Sequence, residues 1–130
     1  MKKLQFAVRT LCALPFVTGA ADVVFGASFL KSAGVPLDDE LATHPVLDSQ
    51  VRFWGAIWLG YGASLWRASS RLETEPATFR LLCGVLAASG LARVASFVRC
   101  GSPGPILTAA MALELIAAPV ALVWHARETS

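Results

Sequence analysis

The chain has 130 residues, of which 55% are hydrophobic and only 15% charged, with a mean hydropathy of +0.59 and a formal net charge of +2 at pH 7. Soluble domains carry about 25% charged residues and small ones leave much of their chain at the surface, so these few charges do not suffice to coat a water-facing globule. The small net charge and the lack of any Lys/Arg run exclude a nucleic-acid-binding stripe.

A membrane helix needs about 20 mostly apolar residues to cross about 30 Å of hydrocarbon. Four stretches meet that need, at residues 11–30, 51–69, 78–98 and 105–126. With their flanks they predict helices over approximately 5–30, 50–69, 77–99 and 104–126, with one long outer loop at 31–49. Ala and Leu dominate and no period-2 alternation persists, so no strand is expected. The expected fold is all-α, a four-transmembrane-helix antiparallel bundle forming a single membrane domain over 1–130.

The first stretch follows Met1-Lys2-Lys3 and contains Thr18-Gly19-Ala20, the outline of a cleaved signal peptide. Arg9 interrupts its apolar run, and hydrophobicity resumes from Val23 to Leu30 with no polar mature start, so retention as a span is expected. Pro15 predicts a kink.

In the second stretch Asp48 and Ser49 occupy the expected N-cap. At 100° per residue Arg52, Gly55, Leu59 and Gly62 share one side, and Trp54, Trp58, Tyr61 and Leu65 the other. Small residues let helices approach closely, so Gly55, Gly60 and Gly62 are expected to pack against the bundle. The aromatic side is expected to face lipid, with a ligand slot as the alternative.

Thr74-Glu75-Pro76 offers a cap and first-turn proline to the third stretch, where Gly90 is a further expected packing residue. Ser102-Pro103-Gly104-Pro105 does the same for the fourth, and Pro119 predicts a kink there.

In the outer loop Leu37, Leu41, Val46 and Leu47 alternate with acids, predicting a short amphipathic element over the bundle mouth. Asp38, Asp39, Glu40, His44 and Asp48 match neither an EF-hand loop nor a helical His pair. Cys12, Cys83 and Cys100 are odd in number and have no C-x-x-C spacing. No metal, no cofactor and no disulfide framework is expected, and both His44 and His125 are placed in or near loops.

Loop charge sets orientation. Lys2, Lys3, Arg9, Arg67, Arg71, Arg80 and Arg127 fall on one side, and Lys31, Arg52 and Arg99 on the other, beside Asp38, Asp39, Glu40 and Asp48. The basic side, carrying both termini, is expected in the cytoplasm of a bacterial inner membrane. Trp66 and Trp124 fall near that interface and Trp54 near the outer one.

The most informative residues are the charges within the spans. At 1.5 Å per residue Asp22 is about 12 Å, Arg93 about 9 Å and Glu114 about 13 Å below the outer ends of their spans. Arg52 begins the second span and can reach inward. Each charge near a span centre costs about 2.5–3.5 kcal/mol. Pairing Arg93 and Arg52 with Glu114 and Asp22 is therefore expected, inside the bundle among small and hydroxylated neighbours such as Ser89 and Gly90. Such a layer reads either as a ligand or proton site or as a closed network that fixes helix pairing.

With Arg52-x-x-Gly55, Gly60 and Gly62 in the second span, Arg93 in the third, and Gly101-x-Pro103 with Glu114-Leu115 at the fourth, the sequence resembles a bacterial family of small four-helix integral membrane proteins of unknown function. The resemblance covers most of the chain from Val51 onward. Asp22 lies outside its pattern. It implies the four-helix fold and no activity.

No Ser-His-Asp, Cys-His or phosphate-cradling glycine motif is present. The leading reading is a non-catalytic membrane protein that binds a lipid, a small apolar ligand, or a membrane partner or second copy near an outer-leaflet polar cluster. The alternative is a small proton-coupled exporter using Glu114. A third is a membrane enzyme on a lipid-like substrate, with Glu114 and Asp22 as an acid–base pair.

Overall fold

The computed structural model describes Met1–Ser130 and contains helices and no strand. The helices are α1 (Lys2–Leu11), α2 (Ala13–Phe25), α3 (Ala27–Ser32), α4 (Asp39–Thr43), α5 (Pro45–Ser69), α6 (Pro76–Cys100) and α7 (Pro105–Thr129). Cys12 keeps helical dihedrals, so α1 and α2 make one run, Lys2–Phe25. That run, α6 and α7 are long and apolar enough to cross a membrane. The 25-residue α5 is as long but less apolar, since Arg52, Arg67, three glycines and four aromatics from Phe53 to Tyr61 dilute its aliphatic content.

The first apolar element lies earlier than its hydropathy suggests. It starts at Lys2 and stops at Phe25, because Gly26 takes φ +63 and redirects the chain. A Cβ on Gly26 would overlap the Asp48 carboxylate, so only glycine fits this joint. Asp48 and Ser49 do not begin α5 either. Proline's fixed φ favours N1, and Pro45 takes it, with His44 Nδ1 accepting the Val46 N–H at 3.3 Å. Asp48 thus falls in the first turn, ahead of residue 51. Asp38 caps the short α4, accepting the Leu41 N–H at 2.7 Å.

Glycine governs how α2 meets α5. A Cβ on Gly55 would stand 2.6 Å from Asp22 Cβ and 2.9 Å from the Gly19 carbonyl oxygen, and one on Gly62 would stand 2.9 Å from Pro15. Gly90 packs likewise against Leu115 and Glu114 of α7. Gly60 does not pack: nothing lies within 4 Å of its Cβ position, because it points off the face that holds Gly55 and Gly62.

The core sits at one end, where Leu4, Val8 and Cys12 meet Leu65, Phe79 and Ala118. His125, expected near a loop, is instead 1% exposed within α7. Its Nε2 lies 2.9 Å from the Leu72 carbonyl oxygen and its ring 5.2 Å from that of Phe79. Arg9 bonds the Ser69 and Ser70 hydroxyls at this end and lies over Trp66, 4.9 Å from the ring centre. The terminal amine pairs with Glu128. At the other end a Cβ on Gly104 would press on Pro36, so the segment between α3 and α4 rests on the start of α7.

The aromatic side of α5 turns inward rather than outward over its lower half. Leu65 is buried in the core, and Tyr61 donates its hydroxyl to the Leu82 carbonyl of α6 at 2.9 Å. Trp58 stacks on Tyr61 and donates Nε1–H to Thr18 at 2.9 Å. These polar tips find partners only between helices, which outweighs their preference for an interfacial belt.

Candidate functional site: the seam between α5 and α6

Followed away from the core, the facing sides of α5 and α6 become steadily more exposed. On α5, Leu65 is 8% exposed, Tyr61 and Trp58 are half-buried, and Trp54 is 60% exposed. These positions lie within about 60° of one another around the helix. On α6, Phe79 is fully buried, Leu82, Leu86 and Ser89 are half-buried, and the side chain of Arg93 is 42% exposed. Arg93 stands 11 residues beyond Leu82, about three turns up and about 20° around. It therefore continues the face that meets Tyr61. No Cα of α2 lies within 8 Å of one in α6 or α7, and α2 reaches this side of α5 through its side chains, Thr18 accepting from Trp58. Exposure along both faces thus rises from the core end toward Trp54 and Arg93.

Arg93 and Glu114 meet on the α6 wall. Arg93 Nε donates to Glu114 at 3.1 Å from Oε1 and 3.0 Å from Oε2. The Ser89 hydroxyl stands 3.1 Å from Oε2 and 2.8 Å from the Leu86 carbonyl oxygen, so its single proton serves one of the two. The Glu114 side chain is 9% exposed. Gly90 makes the pair reachable, because any side chain there would push α7 away. Only Nε of the guanidinium is engaged, and Nη1 and Nη2 make no hydrogen bond within the chain.

Arg52 and Asp22 do not form the second pair that the sequence leads one to expect. Arg52 Nε bonds Asp48 at 2.8 Å, and its Nη1 donates to the carbonyls of Val23 at 2.8 Å and Val24 at 3.0 Å. Those carbonyls end α2 and have no intrahelical partner. On the far side of the joint Asp48 Oδ1 accepts the Ala27 N–H at 3.1 Å. A single i,i+4 pair thus caps two helix ends at Gly26. Because α2 ends at Phe25, Asp22 lies only about 5 Å below its end, in the seam with Gly55. Its Oδ1 is buried without a hydrogen-bond partner. The sequence signals for the joint were the Asp48–Arg52 spacing and a glycine interrupting an apolar run.

Two expectations follow for the joint. Arg52→Ala frees two helix-end carbonyls and Asp48, and should cost about 1–3 kcal/mol in a denaturant titration of the detergent-solubilised chain. The hydrogen bond from Arg52, then that from the Ala27 amide, holds the Asp48 carboxyl below its usual range. The stabilisation is therefore complete above the unfolded-state value, about 3.9, and is lost as pH falls through the depressed folded value. In thermal melts Asp48→Asn should lower Tm at neutral pH and remove part of the decline in acid.

A sequence model of the family described as "Domain of unknown function (DUF4345)" matches residues 3–125. The chain belongs to the DUF4345 family. The matched segment contains Asp22, Arg52, Arg93 and Glu114 and reaches from α1 almost to the end of α7. No curated protein and no solved structure matches the chain.

No three His, Cys, Asp or Glu side chains converge on a point that would hold a metal, and the three cysteines are free, Cys12 and Cys83 buried and Cys100 exposed. A shallow groove of about 630 Å³ runs along α7 beside Pro119, Trp124 and Arg127. It lies at the core end, away from the Arg93–Glu114 pair.

Proposed function

We propose that this DUF4345 chain is a non-catalytic protein of a bacterial inner membrane that holds a lipid or small apolar molecule in the seam between α5 and α6. In this reading α1–α2, α5, α6 and α7 form one antiparallel four-span domain with both termini in the cytoplasm. The glycine contacts support it, since rising numbers on α2 (Pro15, Gly19, Gly26) meet falling numbers on α5 (Gly62, Gly55, Asp48). The pairing of Met1 with Glu128 supports termini on one side. Reporter fusions after Ser130 and within residues 33–37 should report opposite sides, and a common side would contradict the topology.

The observation that carries the binding reading is the exposure gradient along both helices, with aromatic residues on α5 and a polar pair on α6 and α7. Ligand pockets combine a mostly apolar lining with a few placed polar groups, and intramembrane ionisable residues mark such sites by default. Arg93 and Glu114 supply the polar pair, and Trp54, Trp58 and Tyr61 the apolar wall. The exporter alternative gains no support, because Glu114 is tied to Arg93 and stands near Ser89. The test is native mass spectrometry of the full chain released from detergent. It should carry an apolar adduct that Ser96→Trp, at the exposed mouth of the α6 wall, displaces without unfolding the chain. No adduct, or one indifferent to that substitution, would overturn the proposal.

A further inference from the structure

We infer that the seam selects a neutral amphiphile bearing a carbonyl oxygen, such as an acyl ester or ketone, over a fatty-acid anion or a plain hydrocarbon. The inference rests on the binding reading above and adds the chemistry of the bound group.

The guanidinium of Arg93 has five N–H donors in a fixed fork. Nε–H is given to Glu114, and the four on Nη1 and Nη2 find no acceptor within the chain, although Glu114 behind them is almost wholly enclosed. Arg93 stands about 10 Å below the end of α6 at Cys100, and Glu114 about 13 Å below Pro105. In α6 each Cβ tilts toward the N-terminus, so the guanidinium is carried deeper still, to the level of Glu114. Water is scarce at that depth, and unsatisfied donors there are costly. An acceptor oxygen carried in by an apolar molecule would pair with these exposed donors.

Charge decides which acceptor. Arg93 and Glu114 cancel, and no other ionised side chain hydrogen-bonds to either. A carboxylate ligand would leave one uncompensated negative charge in hydrocarbon, which is the costly case. A hydrocarbon would leave the fork unpaired. A neutral carbonyl accepts from the charged fork at charge-assisted strength and adds no charge. The opposing wall fits the rest of such a molecule. Trp58 and Tyr61 stack on each other with planes 12° apart, and their N–H and O–H are spent on Thr18 and Leu82, so their polar tips are not free for a ligand.

The experiment compares three probes of equal chain length, methyl laurate, laurate and dodecane, each added to the full chain in detergent and read by its competition with a brominated fatty ester that quenches tryptophan fluorescence. Methyl laurate should bind about tenfold more tightly than either of the others, the worth of one charge-assisted hydrogen bond. Glu114→Gln leaves Arg93 uncompensated and should invert the order in favour of laurate. Arg93→Lys keeps the charge but removes the fork, and should bring methyl laurate down to the level of dodecane; it reports even if Glu114→Gln fails to fold. Laurate binding most tightly to the unaltered chain would overturn the inference. Equal binding of all three would overturn it too, while leaving an apolar site in place. Failure of all three to bind would remove that reading as well.

Discussion

Gly55→Leu should prevent the chain from folding, whereas Gly60→Leu, five residues on, should leave it folded and stable. Both glycines lie in α5 and both score alike by composition. A Cβ on Gly55 would come within 2.6 Å of Asp22 Cβ and 2.9 Å of the Gly19 backbone, and α2 has no flexible side-chain tip there to move aside. Overpacking of this kind costs about 1–3 kcal/mol for modest insertions, and a leucine must drive the two backbones apart along their whole contact. Gly55→Ala should already cost about 1–3 kcal/mol. At Gly60 the added side chain meets open surroundings, and replacing glycine within a helix gains a few tenths to about 1 kcal/mol. Retention of the monodisperse peak in size-exclusion chromatography, followed by denaturant titration, reads both. Equal tolerance at the two sites would mean that α2 and α5 are not in close contact.

The second large effect belongs to the pair of Arg93 with Glu114. Arg93→Ala leaves the Glu114 carboxylate, 9% exposed, without its counter-charge and should destabilise by about 3–5 kcal/mol, the range for leaving an enclosed charge unpaired. Glu114→Ala should cost less, since the Arg93 side chain it leaves unpaired is 42% exposed and can turn toward polar surroundings. Reversal gives the sharper contrast. Arg93→Glu alone and Glu114→Arg alone should each lose folded protein, and the double reversal should recover part of it. Recovery of folding without recovery of probe binding would separate the structural contribution of the pair from its contribution to the seam. No recovery in the double variant would indicate that the two groups do not act on each other.

The helical character of the chain was legible because long Ala- and Leu-rich runs outlast any strand and carry no alternation. Pro76 and Pro105 announced their helix starts, and each opens its helix. Pro45 opens another that the more familiar Asp48-Ser49 signal obscured. The end of the first long helical run was not legible, since Val23 to Leu30 stays apolar across Gly26. What breaks the helix there is the Asp48–Arg52 pair arriving from another element, and hydropathy carries no trace of a long-range cap.

The contact of Arg93 with Glu114 was foreseeable from depth and charge. That of Arg52 with Asp22 was not formed, because the short-range partner Asp48 and two free carbonyls lie nearer to hand. The inward turn of Tyr61 and Trp58 escaped the helical wheel for a related reason. A wheel separates glycine from aromatic faces but does not say that α5 has neighbours on both, α2 against the glycines and Trp58, and α6 against Tyr61.

The proposed opening of the α5–α6 seam toward Trp54 and Arg93 underlies the rest, and spin-label distances in lipid nanodiscs test it most directly. One label pair replaces Tyr61 and Leu82, where the walls touch, and a second replaces Trp54 and Phe97 at the mouth. The outer pair should give the longer distance and should shorten when methyl laurate is added. An outer distance equal to or below the inner one would mean that the helices run in contact to their ends, with no space for a ligand between them.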